Sequence, residues 1–154
     1  MLLVRPATAA DLAAIHLLDR RSSPVYASEE GYAALLESPA LLLVAESEDS
    51  LAGFAALSVV LDEATILNIV VEDGARRGGL ASSLLDEAEV VLSARGIQRM
   101  LLEFRRSNIA AQLLYEKHGF VVDGVRDGYY PLTDGQREDA VLMSKTLEGA
   151  RESA

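Results

Sequence analysis

Apolar residues recur along this chain with two periods, and the switches between them lay out the elements. Leu2 to Arg5 reads as a short strand. Thr8 and Asp11 form a Thr-x-x-Asp start signal for a helix whose face carries Leu12, Ile15 and Leu18. A second helix is predicted from Ser28 to Leu36, followed by a continuous apolar run, Leu41 to Ala45, that reads as a buried strand. The polar cluster Ser47 to Ser50 is a turn. Ala52 to Leu61 and Ala64 to Val71 suit strands, joined by a turn at Asp62 and Glu63. Leu80, Leu84, Leu85, Ala88, Val91 and Leu92 then repeat at helical spacing, with Gly96 placed to end that helix in a left-handed cap. Met100 to Phe104 is a further strand. A helix from Asn108 to Lys117 is predicted to bury Ile109, Leu113 and Leu114, with Gly119 as its stop. Two closing strands lie near Phe120 to Val125 and Ala140 to Thr146.

The resulting order, βααβββαβαββ, predicts an α/β (α+β) domain with a mixed seven-stranded sheet and helices on both faces. One domain is expected over residues 1–147. Glu148 to Ala154 are polar or small and are expected to fray.

Composition narrows the setting more than the chemistry. Half of the 154 residues are apolar and a quarter charged, an ordinary globular balance. There is no cysteine, which removes disulfides and thiolate metal sites. The two histidines, His16 and His118, have no partner at metal-ligand spacing, so no metal is expected, and no serine–histidine–acid arrangement either. The opening residues lack the apolar run of a signal peptide and no stretch is long enough to span a bilayer, so a cytoplasmic protein is expected. Fourteen basic against twenty-four acidic residues leave a net charge of −10. Nucleic acid and anionic membrane are poor partners for such a surface, whereas a basic peptide or a polyamine is attracted to it; the same acidity also serves plain solubility.

The segment from Val70 to Ala81 runs from strand through turn to helix. Gly78, Gly79 and Ala81 let backbone approach a ligand closely, and the helix starting near Leu80 points free N–H groups at that spot. Arg76 and Arg77 place positive charge where a diphosphate would lie. On residues alone the segment serves equally as a surface turn with two solvated arginines. It is neither a Walker loop nor the dinucleotide fingerprint.

The pattern Arg76-x-x-Gly79-x-Ala81 after a strand resembles the coenzyme A signature of the GNAT superfamily of N-acetyltransferases. The resemblance extends over VVLDEATILNIVV from Val59, RRGGLA from Arg76, LLEFRRSNIAAQLLYEKHGF from Leu101 and YYPLTDGQREDAVLM from Tyr129. These segments resemble the branch that acetylates the N-terminal alanine of small-subunit ribosomal protein eighteen. The chain departs from that branch in lacking a Phe-Pro-Trp segment between Arg21 and Ala40, and in one extra residue at Gln136–Arg137.

The resemblance implies a GNAT fold, acetyl-CoA as cosubstrate and a basic ribosomal-protein N-terminus as acceptor. It assigns the cofactor to Ile69, Val70 and Val71, to Arg76, Arg77, Gly78, Gly79, Leu80, Ala81 and Ser82, and to Asn108 and Tyr115. By the same resemblance Glu103 is the catalytic base, Tyr115 the acid for the departing thiolate, and Tyr129 and Tyr130 a loop over the acceptor. The residues alone leave these roles open. Glu103 equally suits a solvated strand end, though a half-buried place there is one where a carboxylate pKa can rise; Tyr115 suits a core tyrosine and Asn108 an N-cap. The strand Leu67 to Val71 can offer its backbone to a ligand only if it is splayed or bulged. With no cysteine, an acetyl-cysteine intermediate is excluded, and transfer within a ternary complex is expected. A small-amine or lysine acetyltransferase, or a coenzyme A-binding module without catalysis, are the alternative readings.

Overall fold

Seven strands alternate with helices in the predicted order, and their register shows where each face goes. The computed structural model describes residues 2–22, 27–48, 50–72 and 79–147. Strands β1 (Leu2–Pro6), β2 (Leu41–Ser47), β3 (Ser50–Val60), β4 (Glu63–Val71), β5 (Arg99–Arg105), β6 (Val121–Pro131) and β7 (Arg137–Thr146) form one sheet. Its spatial order is β1-β2-β3-β4-β5-β7-β6. Neighbours are antiparallel except for β4 and β5, which run parallel. The helices are α1 (Leu12–Ser22), α2 (Glu29–Leu36), α3 (Leu80–Ala94) and α4 (Ile109–Lys117).

The middle of the sheet, β2 to β4, is buried on both faces. On β3, Ala55 and Leu57 join one core with Leu84, Leu92 and Met100, beneath α3. The alternate residues Phe54 and Ala56 join the other, with Ile15 of α1 and Tyr32 of α2. That period-two division is what a strand between two helical layers requires.

Local chemistry sets the element ends. The Thr8/Asp11 signal opens a 3-10 turn, Ala9–Asp11, from which α1 continues. There the Thr8 backbone N–H donates to Asp11 at 2.8 Å, and the Arg5 guanidinium pairs with the same carboxylate at 2.8 Å. Arg5 also bonds Glu46 of β2, and it holds the Asp11 carboxyl below the usual range. Ser28 caps α2, its hydroxyl accepting the Gly31 N–H at 3.0 Å. Gly96 and Gly119 follow α3 and α4 with φ of 83° and 88°, the left-handed stops predicted for them.

Three expectations are corrected. Ile109 and Leu113 are 57% and 62% exposed rather than buried. They lie four apart on the outer side of α4, whose inner stripe is Ala111, Leu114 and Tyr115, and only that stripe meets the core. The turn between β3 and β4 falls at Leu61 and Asp62, so Glu63 is already in β4. The last two strands are longer than hydropathy suggests, because charged and aromatic residues continue the β6–β7 hairpin beyond its apolar part. The predicted tail, Glu148 to Ala154, lies outside the described residues.

Candidate active site

The parallel pair is the weak seam of the sheet, and the site lies in it. β4 and β5 pair only at Glu63–Arg99, Ala64–Met100 and Thr65–Leu101. Past these positions the ladder stops and the strands diverge. On the other side of β4 the register against β3 slips between Ala56 and Leu57, so that Ala56 faces Asn68, Leu57 faces Ile66, and Leu67 is the extra residue of a bulge. This is the bulged, splayed strand that the sequence could only require. A bulge reorients the backbone and leaves the extra residue outside the ladder.

Two cavities open on the seam. One, of about 660 Å³, is lined by β4 from Ile66 to Val71, by Ala81 of α3, by Asn108, and by Ala111, Leu114 and Tyr115 of α4. The other, of about 540 Å³, is lined by Thr65, Leu101, Asp123, Arg126, Tyr129 and Tyr130, among others. They share Ile66, Leu67, Leu102 and Glu103. A group in one cavity therefore meets a group in the other across the Glu103 carboxylate.

Glu103 lies inside β5, not at its end, and it is exposed to the cleft rather than half-buried. The reason is alternation: Leu102 and Phe104 take the inward positions and leave Glu103 in the gap opened by the splay. Tyr115 is 8% exposed and packs beside Phe104 and Phe120, with ring centroids 6.1 and 5.5 Å away. Burial pushes its phenol up to about 12. Asn108 caps α4, its side-chain oxygen accepting the Ala111 N–H at 3.1 Å, and it also lines the first cavity.

Tyr129 and Tyr130 lie in β6, not in a loop. Their rings meet edge to face at 5.1 Å. Arg126 lies over Tyr129 at 5.2 Å, and Arg105 over Tyr130 at 4.5 Å. Burial and then the nearby Glu103 charge raise the Tyr130 pKa. Pairing with β7 is interrupted between Arg126 and Tyr130, and the pair projects from that irregular stretch.

Gly79 precedes α3 with φ 75°, and Leu80, Ala81 and Ser82 form its first turn. Arg76, Arg77 and Gly78 lie outside the described residues. Ser82 supplies another correction: its Oγ is 3.0 Å from His118 Nε2, and His118 Nδ1 is 3.3 Å from Asp86. A serine–histidine–acid chain therefore exists, where none was expected, because the first turn of α3 meets the end of α4. It fastens the two helices together. No group of residues suited to holding a metal ion occurs among the described residues.

A cradle of strand backbone, a helix start behind a left-handed glycine and a carboxylate between two cavities suits acyl transfer from a long thin thioester. The family model described as Acetyltransferase (GNAT) family matches residues 10–120. The chain belongs to the GNAT family. This GNAT chain is 40% identical over 134 residues to the [ribosomal protein bS18]-alanine N-acetyltransferase of Escherichia coli K12, covering 87% of this chain and 90% of that one. Its fold matches the crystal structure of the ribosomal-protein-S18-alanine N-acetyltransferase from Escherichia coli with a TM-score of 0.88 and 37% identity, over 96% and 94% of the two chains. The fold alone is shared with yncA, a putative acetyltransferase from Salmonella typhimurium solved with acetyl-CoA, at a TM-score of 0.84 and 19% identity over 96% and 95%.

Several residues of this GNAT cleft escaped the sequence reading. Leu102, Asp123 and Arg126 line it with no motif to mark them. Asn68 carried a visible signal, a carboxamide in the middle of an apolar strand.

Proposed function

We propose that this GNAT enzyme transfers the acetyl group of acetyl-CoA to the N-terminal α-amine of a protein, the N-terminal alanine of ribosomal protein bS18. The observation that carries the reading is Glu103 in the wall common to both cavities. The E. coli relatives' named activity supports the choice of acceptor.

The first cavity suits the pantetheine arm of acetyl-CoA, since it is lined largely by apolar side chains and edged by β4 from Ile69 to Val71, beyond the end of the β4–β5 ladder. Bound there, acetyl-CoA supplies an acyl group activated as a thioester. Gly79, Leu80 and Ala81 offer helix-start N–H groups to its diphosphate, with Arg76, Arg77 and Gly78 just before them and Ser82 just after. Asn108 and Tyr115 close the far wall.

Glu103 takes the proton of the acceptor amine. The task is modest for an α-amine, whose pKa of about 8 makes the neutral form cost about 1.4 kcal/mol at pH 7, against about 4.6 for a lysine. The N–H groups of the bulged strand meet the oxyanion. Tyr115, protonated throughout the physiological range, gives its proton to the sulfur. Tyr129 and Tyr130 line the acceptor side, where a peptide enters.

Acetylation of a peptide bearing the bS18 N-terminus, compared with spermidine and an internal-lysine peptide, tests the proposal, with mass spectrometry locating the acetyl group. Modification of the α-amine is expected. Turnover of spermidine or lysine alone would assign a different acceptor class.

A further inference from the structure

Asp19 of α1 is 1% exposed, and among the described residues no cation pairs with it. Among the described residues three neutral donors meet its charge instead. The Tyr32 hydroxyl of α2 donates to Oδ2 at 2.5 Å, and the Ala27 backbone N–H to the same oxygen at 3.2 Å. The third is the Asn68 carboxamide of β4, which donates to Oδ1 at 3.1 Å. Burying a carboxylate against neutral donors is costly, and its retention calls for a reason.

The bulge at Leu67 supplies that reason. Before it, Ile66 packs into the core beneath α3. Four residues later Val70 packs into the opposite core, beneath α1 and α2, while Ile69 and Val71 lie against the first. In an unbroken strand positions 66 and 70 would share a face. The extra residue reverses the alternation, and Asn68 thereby turns towards α1, where Asp19 accepts its carboxamide. If the bulge slipped out, Asn68 would point into the apolar core beneath α3 and Asp19 would lose a donor. A one-residue slip exchanges every side chain between faces, so one buried polar pair is enough to specify the register.

We infer that Asp19, through Asn68, is a positioning residue that pins the β4 bulge and so holds the strand's N–H and C=O groups in the register that grips acetyl-CoA. The inference rests on the acetyl-transfer reading of the site. Asp19 touches no reacting group. It links the α1–α2 cap to the one place where β4 departs from its ladder on the β3 side.

The test combines acetyl-CoA affinity by calorimetry with turnover on the alanine peptide, well below the melting temperature. Asp19→Asn keeps the shape but sets an amide against the Asn68 amide. It is expected to weaken acetyl-CoA binding and lower kcat, each by about tenfold or more, as small misplacements in such sites do. The exchange D19N/N68D restores one donor and one acceptor and is expected to recover most of both. Tyr32→Phe removes one bond to the same carboxylate and the hydroxyl's contact with Asn68 but leaves the Asp19–Asn68 pair in place, so it is expected to lower stability and to cost less affinity and turnover than D19N. Unchanged affinity and kcat in D19N, an exchange no better than D19N alone, or a Tyr32→Phe loss equal to that of D19N would each overturn the inference. If D19N does not fold, Asn68→Ala replaces it, with the same loss expected and an unchanged kcat counting against. A wild-type protein idle on every acceptor sinks the acetyl-transfer reading, and the affinity comparison still decides the pin.

Discussion

At the scale of single residues, the proposed mechanism divides the proton traffic between Glu103 and Tyr115 by their environments. Glu103 lies open to the cleft, where the proposed acceptor amine would enter. Tyr115 is buried among Phe104 and Phe120 and keeps its own proton. Glu103→Gln retains size and hydrogen bonding but cannot accept the proton, so kcat should fall by about 10²- to 10⁴-fold with acetyl-CoA affinity preserved. Equal turnover would move the base elsewhere. Tyr115 makes a separate prediction through stability. Its phenol titrates near 10 unfolded and about 12 folded. A raised folded pKa leaves its contribution intact below pH 10 and removes it as pH climbs towards 12, to the extent of about 3 kcal/mol. Denaturant titrations across that window should show the wild type losing stability relative to Tyr115→Phe, and parallel curves would contradict the burial argument.

At the scale of elements, start signals were easier to read than burial. The Thr8/Asp11 signal, the glycine stops at Gly96 and Gly119 and the helical face of α3 depend on local chemistry, so they were legible. The exposed Ile109 and Leu113 were not, because a nine-residue helix offers two apolar sides and only tertiary contact selects one. The splay between β4 and β5 was equally hidden, since it arises where a ladder stops rather than from any residue in it. Nor could spacing reveal Asp19 reaching Asn68 across 49 positions. A related close approach constrains β3 against β4. Gly53 of β3 lies where a Cβ would come within 2.7 Å of Leu80 Cδ2 and 2.9 Å of the Val70 carbonyl oxygen. A side-chain methyl can yield, whereas a strand carbonyl cannot. Gly53→Ala should therefore strain β3 against β4 at Val70, costing about 1–3 kcal/mol. Because Val70 lines the first cavity, proposed to hold acetyl-CoA, affinity for acetyl-CoA should fall together with the denaturation midpoint.

At the scale of the whole molecule, the net charge of −10 acts on encounter more than on chemistry. Inside the second cavity, proposed to receive the acceptor, the charges are mixed, with Glu103 and Asp123 lining it beside Arg126, and Arg105 over the Tyr130 ring. A cationic peptide therefore gains little from the cavity's net field once docked. It gains during approach, when the summed negative charge draws it in. Salt separates the two stages, because the screening length shrinks from about 30 Å at 0.01 M to about 3 Å at 1 M. With a basic alanine-terminated peptide, kcat/KM should fall as salt rises while kcat stays level. A neutral peptide with the same N-terminus should show a flat kcat/KM. Should kcat fall in step with kcat/KM for both peptides, salt would be acting on the bound complex, and the long-range attraction would have no part in selecting a basic acceptor.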